Sequence, residues 1–188
     1  MPDLAPTTAF GRTDARRRRF GAVVLSENIT LGLASLAVPR DAAPPWLKGL
    51  QLPGPGTWVG GAETSAFWIA PNQWMIEVPD GADADLEGDL RTAVPNAAVT
   101  GQTDGWTVLE MASDAGPRPL ECILEKLVNL DLDRLKPGSA TRTGLEHMSV
   151  FVIRRSPTTL AVLGMRSAAG SLWHALDVAV SRVAEGWA

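Results

Sequence analysis

The sequence predicts an α+β fold in which one hairpin-plus-helix unit is used twice, with pseudo-twofold symmetry. Three observations predict it. Residues 67–78 and 148–165 each read as two strands about a proline-bearing turn, Ala70-Pro71-Asn72-Gln73 in the first and Ser156-Pro157-Thr158-Thr159 in the second. Proline fixes φ where a tight reversal needs it. Each hairpin, and not a single strand, leads into a helix with one apolar face, which argues against a doubly wound parallel sheet. The two units also keep one register. A constant 86 residues separates Pro71 from Pro157, Trp74 from Leu160 and Ile76 from Val162, and Leu86, Leu90, Ala93 and Val94 from Leu172, Leu176, Ala179 and Val180. At the same offset residues 20–25 fall on residues 106–111, so those two strands are predicted to correspond.

In chain order, residues 1–19 are expected to be a flexible basic tail, ending in Arg16-Arg17-Arg18-Arg19. Residues 20–188 are then a single α+β domain of two similar halves. Apolar runs over 20–25 and 29–36 read as strands. Pro44 and Pro45 break the pattern and are expected to start a short helix over 46–50. Residues 51–61 are rich in Gly and Pro and read as a connector. After the first hairpin a helix is expected, capped near Asp83 or Asp85 and burying Leu86, Leu90, Ala93 and Val94. Residues 106–111 read as a strand. Leu120, Ile123, Leu124, Leu127 and Val128 mark a middle helix, and Pro137-Gly138 closes that region. The second hairpin is followed by a last helix over about 167–185, burying Leu172, Leu176, Ala179, Val180 and Val183.

A chain of 188 residues can bury roughly 70% of its unfolded surface and so build its own core. Hydrophobic residues at 45% and charged residues at 20% are ordinary globular values. The net charge of −4 argues against a broad nucleic-acid footprint. One Cys forms no internal disulfide, and with two His beside it no structural zinc site is expected. The apolar run after the arginines is too short for a secretory leader, and no window of about 20 apolar residues spans a bilayer. A cytoplasmic location is expected. Seven Trp and no Tyr make an unusual aromatic balance; Trp fills cores and anchors interfaces.

No catalytic constellation emerges. Gly54-Pro55-Gly56 has Val59 where a dinucleotide loop needs its third glycine, and Pro55 removes a donor, so it reads as a turn. Gly164-Met165-Arg166-Ser167 stops one residue short of a nucleophile elbow. His174 and Asp177 are spaced to pair on a solvated helix face. Cys122, on the middle helix, reads as a partly buried structural thiol; activation would need His147 to approach it in three dimensions, which the sequence does not show. Asp83 and Asp85 flank a helix start, and Asp131 and Asp133 lie in a turn. No catalytic, cofactor-binding or metal-ligating residue is assigned.

Three segments together resemble the gamma subunit of heterotetrameric sarcosine oxidases. The first is Trp68-Ile69-Ala70-Pro71-Asn72-Gln73-Trp74-Met75-Ile76, similar to that family's W-I-x-P-[DN]-[EQ]-W-[LM] hairpin. The second is Thr103-Asp104-Gly105-Trp106 with the helix and Asn129-Leu130-Asp131-Leu132 that follow. The third runs from Pro137-Gly138-Ser139-Ala140-Thr141-Arg142-Thr143 through the second hairpin to Arg166-Ser167 and Ser171-Leu172-Trp173-His174. The resemblance spans about residues 20–185 and rests on the order and spacing of the three. One departure is Ser113-Asp114-Ala115-Gly116-Pro117-Arg118-Pro119, where the doubled proline is expected to delay the middle helix.

The resemblance implies a duplicated α+β fold similar to the folate-binding domain of the glycine-cleavage aminomethyltransferase. It also implies alpha, beta and delta partner subunits, chiefly the large alpha subunit. FAD, FMN, NAD and tetrahydrofolate would then sit on other subunits, with none on this chain. The implied complex converts sarcosine, oxygen and tetrahydrofolate to glycine, hydrogen peroxide and methylenetetrahydrofolate, and the implied role here is assembly. Trp173, at the edge of its helix stripe, and Trp187, next to the last residue, are candidate interface anchors. Arg16, Arg17, Arg18 and Arg19 are a candidate electrostatic contact. The alternative is a free-standing folate-dependent enzyme or repair factor on the same fold.

Overall fold

The computed structural model describes residues 7–185. Strands β1 (Arg17–Phe20) and β2 (Val23–Glu27) form a hairpin and are followed by β3 (Gly32–Ala37). Two short pieces, β4 (Trp46–Leu47) and β5 (Leu50–Gln51), precede β6 (Trp58–Gly60). The first predicted hairpin is β7 (Ser65–Ala70) and β8 (Gln73–Val78), and helix α1 (Leu86–Ala93) follows it. Then come β9 (Ala98–Gly101), β10 (Trp106–Ser113) and helix α2 (Arg118–Leu127). Strands β11 (Ser139–Leu145), β12 (Met148–Ser156) and β13 (Thr159–Met165) lead through a 3-10 turn (Arg166–Ala168) into helix α3 (Ala169–Glu185).

The strands form two antiparallel sheets, β1-β2-β10-β13-β12-β11 and β6-β7-β8-β3-β9, beside the small β4–β5 pair. Alternation along each strand decides which layer a side chain enters. On β13, Ala161 and Leu163 face the other sheet, joining Leu31, Leu33, Phe67, Met75, Val108, Phe151 and Ile153 in one core. Leu160 and Val162 face outward and pack with Leu120, Ile123 and Leu124 of α2 and Leu172, Leu176 and Val180 of α3. On the far side Ala34, Leu36, Trp74 and Ile76 pack under Leu86 and Leu90 of α1. The layers are therefore helix, sheet, sheet, helices, which buries the apolar face of every helix. One flank of the sandwich is stitched by main chain: Trp58 N–H donates to Gly138 O at 2.7 Å, and Ala140 N–H to Gly56 O at 2.9 Å.

The register locates the duplication. Ser35 of β3 pairs with Met75, and Glu110 of β10 pairs with Ala161, the residue 86 positions after Met75. Strand β10 is thus the counterpart of β3. The predicted match of residues 20–25 with 106–111 is overturned, because Leu25 and Met111 are paired neighbours in one sheet. Alternation is common to every half-buried strand, so pattern alone does not separate a partner from a counterpart. The true symmetry is an exchange. β2, from the first half, pairs with β10, while β9, from the second half, pairs with β3.

Other expectations are corrected too. Residues 46–50 are not a helix. Lys48 (φ 48°) and Gly49 (φ 77°) are both left-handed, the geometry of a two-residue type I′ loop, and they join β4 to β5. Pro44 stands before another proline and is driven extended, away from a helix start. The doubled proline does not delay α2: Pro119 sits within its first turn, where a missing N–H is harmless. Helix α1 begins as expected, with the Asp85 carboxylate accepting from Gly88 N–H at 2.9 Å. The flexible tail over 1–19 is contradicted from residue 7 onward, because β1 pairs with β2 and the segment before it is clamped. Glu27 accepts from Ala9 N–H at 3.0 Å and Arg16 N–H at 3.2 Å, and its own N–H donates to Arg16 O at 2.7 Å.

Candidate functional site

The side chains singled out by sequence do not converge. Trp173 is 2% exposed and belongs to the core around α3. Phe10 meets its ring edge-on at 5.6 Å, and the Arg16 guanidinium lies 4.4 Å from the ring centre. Between interface anchor and local packing, the geometry gives local packing. Trp187 lies outside the described residues. The four arginines separate: Arg16 stacks on Trp173, Arg18 grips Asp177 of α3 through two bonds of 2.8 and 2.9 Å, and Arg19 pairs with Asp114 at 2.8 Å. Arg17 is exposed on β1. Two of the four charges are thus neutralised within the chain.

The candidate chemistries stay apart. Asp177 pairs with Arg18, and His174 is exposed. Cys122 packs against the helix-side core, while exposed His147 stands in the β11–β12 turn. Gly54-Pro55-Gly56 makes a turn, with Gly56 at φ 74°, and leads into strand β6 where a phosphate cradle would need a helix N-terminus. Among the described residues no group of three or more His, Cys, Asp or Glu is placed to hold a metal. No described helix is long and apolar enough to cross a membrane.

Sequence reading missed a charged cluster between the sheets. Glu77 on β8 is fully buried; it accepts from the Trp58 indole N–H at 2.8 Å and from Arg155 at 2.9 Å. The Arg155 Nε is 3.7 Å from Glu110, which also accepts from the Asn28 amide at 3.2 Å. Burial pushes the Glu77 carboxyl above its ordinary 4.5, against the opposing pull of Arg155 and the Trp58 hydrogen bond. A signal existed: Glu77 keeps the alternation of inward-facing Met75, so a strand that buries one face must bury the carboxylate with it. The cluster spans both sheets, with Glu77 sealed from solvent and Arg155 and Glu110 partly exposed at its rim.

The surface carries a different feature. Trp46 is 66% exposed on the β4–β5 hairpin, whose Leu47 is 1% exposed and anchored in the core under α1 with Leu50 packed beside it. Three indole nitrogens are engaged: Trp58 with Glu77, Trp74 with Pro53 O at 2.7 Å and Trp106 with Gln102 at 3.1 Å. An unburied Trp is a large apolar area left in water, the kind of group that dominates interface energetics. Ile29 at 38% and Met165 at 51% are smaller exposures of the same kind.

Known proteins share this architecture. The model of the sarcosine oxidase, gamma subunit family matches residues 37–182. No curated protein matches the sequence. Among solved structures, the chain is similar to heterotetrameric sarcosine oxidase from Corynebacterium sp. U-96 in complex with pyrrole 2-carboxylate. The TM-score is 0.74 at 22% identity, covering 89% of this chain and 88% of that one. It is also similar to the glycine cleavage system aminomethyltransferase T from Bartonella henselae, with a TM-score of 0.56 at 12% identity over 80% of this chain and 44% of that one. At such identities the likeness is one of fold: the duplicated α+β sandwich is common to all three.

Proposed function

The chain belongs to the sarcosine oxidase gamma subunit family, and from that premise we propose that it is an assembly subunit without chemistry of its own. The complex it serves oxidatively demethylates sarcosine, with tetrahydrofolate as one-carbon acceptor and release of hydrogen peroxide. Its partners are the alpha, beta and delta subunits in the cytoplasm, the large alpha subunit foremost, and these hold the flavins, dinucleotide and folate. The observation that carries this reading is the interior. Phe67, Phe151, Met75, Ile153 and Leu163 fill the space between the sheets, and the buried Glu77 is paired by the half-buried Arg155. A fold whose centre is filled by its own side chains offers its outer surface for work.

Trp46 is the anchor on that surface. Truncating it to Ala removes a solvated ring and leaves Leu47 in place, so the isolated chain is expected to melt within about 2 °C of the parent. In co-purification with the partner subunits, recovery is expected to fall at least tenfold, the factor that about 1.4 kcal/mol of interface energy gives. Trp173→Ala should do the reverse, costing about 3–5 kcal/mol of folding stability by opening a core cavity. Undiminished recovery with Trp46→Ala would remove that surface from the proposal. Micromolar binding of tetrahydrofolate to the isolated chain in calorimetry would move the function toward a folate-dependent enzyme.

A further inference from the structure

We propose that the seam between the N-terminal arm, residues 7–16, and the sheet beneath it is a built hydration site, holding ordered water anchored on the Thr107 hydroxyl. The Thr107 side chain is 3% exposed, and its Oγ1 has no hydrogen-bond partner among the described residues. It stands on β10 two residues before Leu109, the strand partner of Glu27, so Thr107 and Glu27 share a face. A cavity of about 60 Å³ opens beside them, with Thr8 and Ala9 of the arm on one side, Asn28, Thr103 and Arg166 as its other polar walls, and an apolar side formed by residues such as Leu31, Leu33 and Val108. A water needs about 10–15 Å³ of such space, so there is room for one or more.

The lining names the guest. A buried water needs two to four polar partners. Here Glu27 uses each carboxylate oxygen for one arm N–H and retains free lone pairs. Arg166 donates to Thr7 O at 2.6 Å and has further N–H groups. With Thr107 these supply acceptors and donors in balance. A carboxylate faces a guanidinium across the same space, which favours a neutral guest over an ion. The Trp173 indole N–H, under Phe10 and Arg16, is a second buried donor without a partner. Both lie beneath the same arm, so direct contacts leave this seam incomplete; the other buried atoms without a partner among the described residues, Arg154 Nε and Arg155 Nε, lie apart from it on β12.

The hydroxyl is what the test removes. Thr107→Val keeps the shape but gives the waters an apolar floor, and Thr107→Ser keeps the hydroxyl. For the full chain, the valine variant is expected to melt about 2–4 °C below the parent, with the serine variant within about 1 °C. Trypsin cleavage at Arg12 and Arg16 is expected to be faster in the valine variant, because the arm loses part of its hold. A crystal structure at about 1.5 Å should show water within hydrogen-bond distance of Thr107 Oγ1. If Oγ1 has no partner at all, replacing it with a methyl relieves a desolvated hydroxyl, and the valine variant melts at or above the parent. That result, or an empty cavity in the crystal, would overturn the proposal.

Discussion

Glu77 is the residue whose setting has the clearest consequence. Its carboxylate is fully buried between Trp58 and Arg155, and desolvation is the largest influence, raising the folded-state pKa above 4.5. In that window the folded chain binds more protons than the unfolded one. The contribution of this group to stability is therefore fully present below about pH 4.5 and is lost as pH rises through the raised folded value. Glu77→Gln keeps an oxygen for the Trp58 N–H and removes the titration. Urea unfolding of both proteins from pH 4 to 8 should show the parent losing stability relative to the variant as pH rises, and then a constant difference. A parent that instead gains on the variant through that range would mean that Arg155 outweighs burial. Arg155 is 17% exposed at its side chain and partly committed to Glu110, which is why burial is expected to win.

Among the elements, β3 approaches the segment before α1 closely at Gly32. A Cβ at Gly32 would run into the Gly81 carbonyl and the Leu86 side chain. A backbone oxygen in a turn cannot step aside as a flexible side chain can, so Gly32→Ala should cost at least about 2 kcal/mol. Gly144, on edge strand β11 with open space around it, is the control: its alanine variant should stay within about 0.5 kcal/mol of the parent in the same urea titration. Equal midpoints for the two variants would show that the β3–α1 contact yields. The same scale explains what the sequence disclosed. The β7–β8 and β12–β13 hairpins and all three helices were legible, because proline turns and apolar stripes are local signals. Strands β9 and β11 were not, since Ala-Val-Thr-Gly and Ser-Ala-Thr-Arg-Thr-Gly-Leu carry little apolar alternation and owe their state to neighbours. The docked arm was hidden for a like reason: Glu27 and Trp173 hold it from 11 and more residues away, and arginines read in isolation belong to solvent. Trp46 was visible as a residue, but its exposure depends on a turn that the prolines disguised as a helix start.

At the scale of the whole molecule, the strand exchange makes a demand on folding. The first half supplies β1 and β2 to the sheet of the second, and the second supplies β9 to the sheet of the first. A chain cut between Pro95 and Asn96, in the exposed turn after α1, yields two fragments that are each missing part of a sheet. Fragment 1–95 has β1 and β2 with nothing to pair against beyond each other, and β3 with one edge bare. Fragment 96–188 has β9 without its sheet and β10 with an open edge where β2 belongs. Neither closes the inter-sheet core, whose apolar residues come from both, so each alone is expected to lack the cooperative melt of the intact chain. Mixed in equal amounts they should regain it, because every lost pairing is restored across a single broken peptide. If fragment 96–188 alone melted cooperatively near the intact chain's midpoint, the exchanged strands would be an embellishment on a self-sufficient half. The register of Leu25 on Met111 and Ser35 on Thr100 says otherwise: the symmetry joins two units that are each finished by the other.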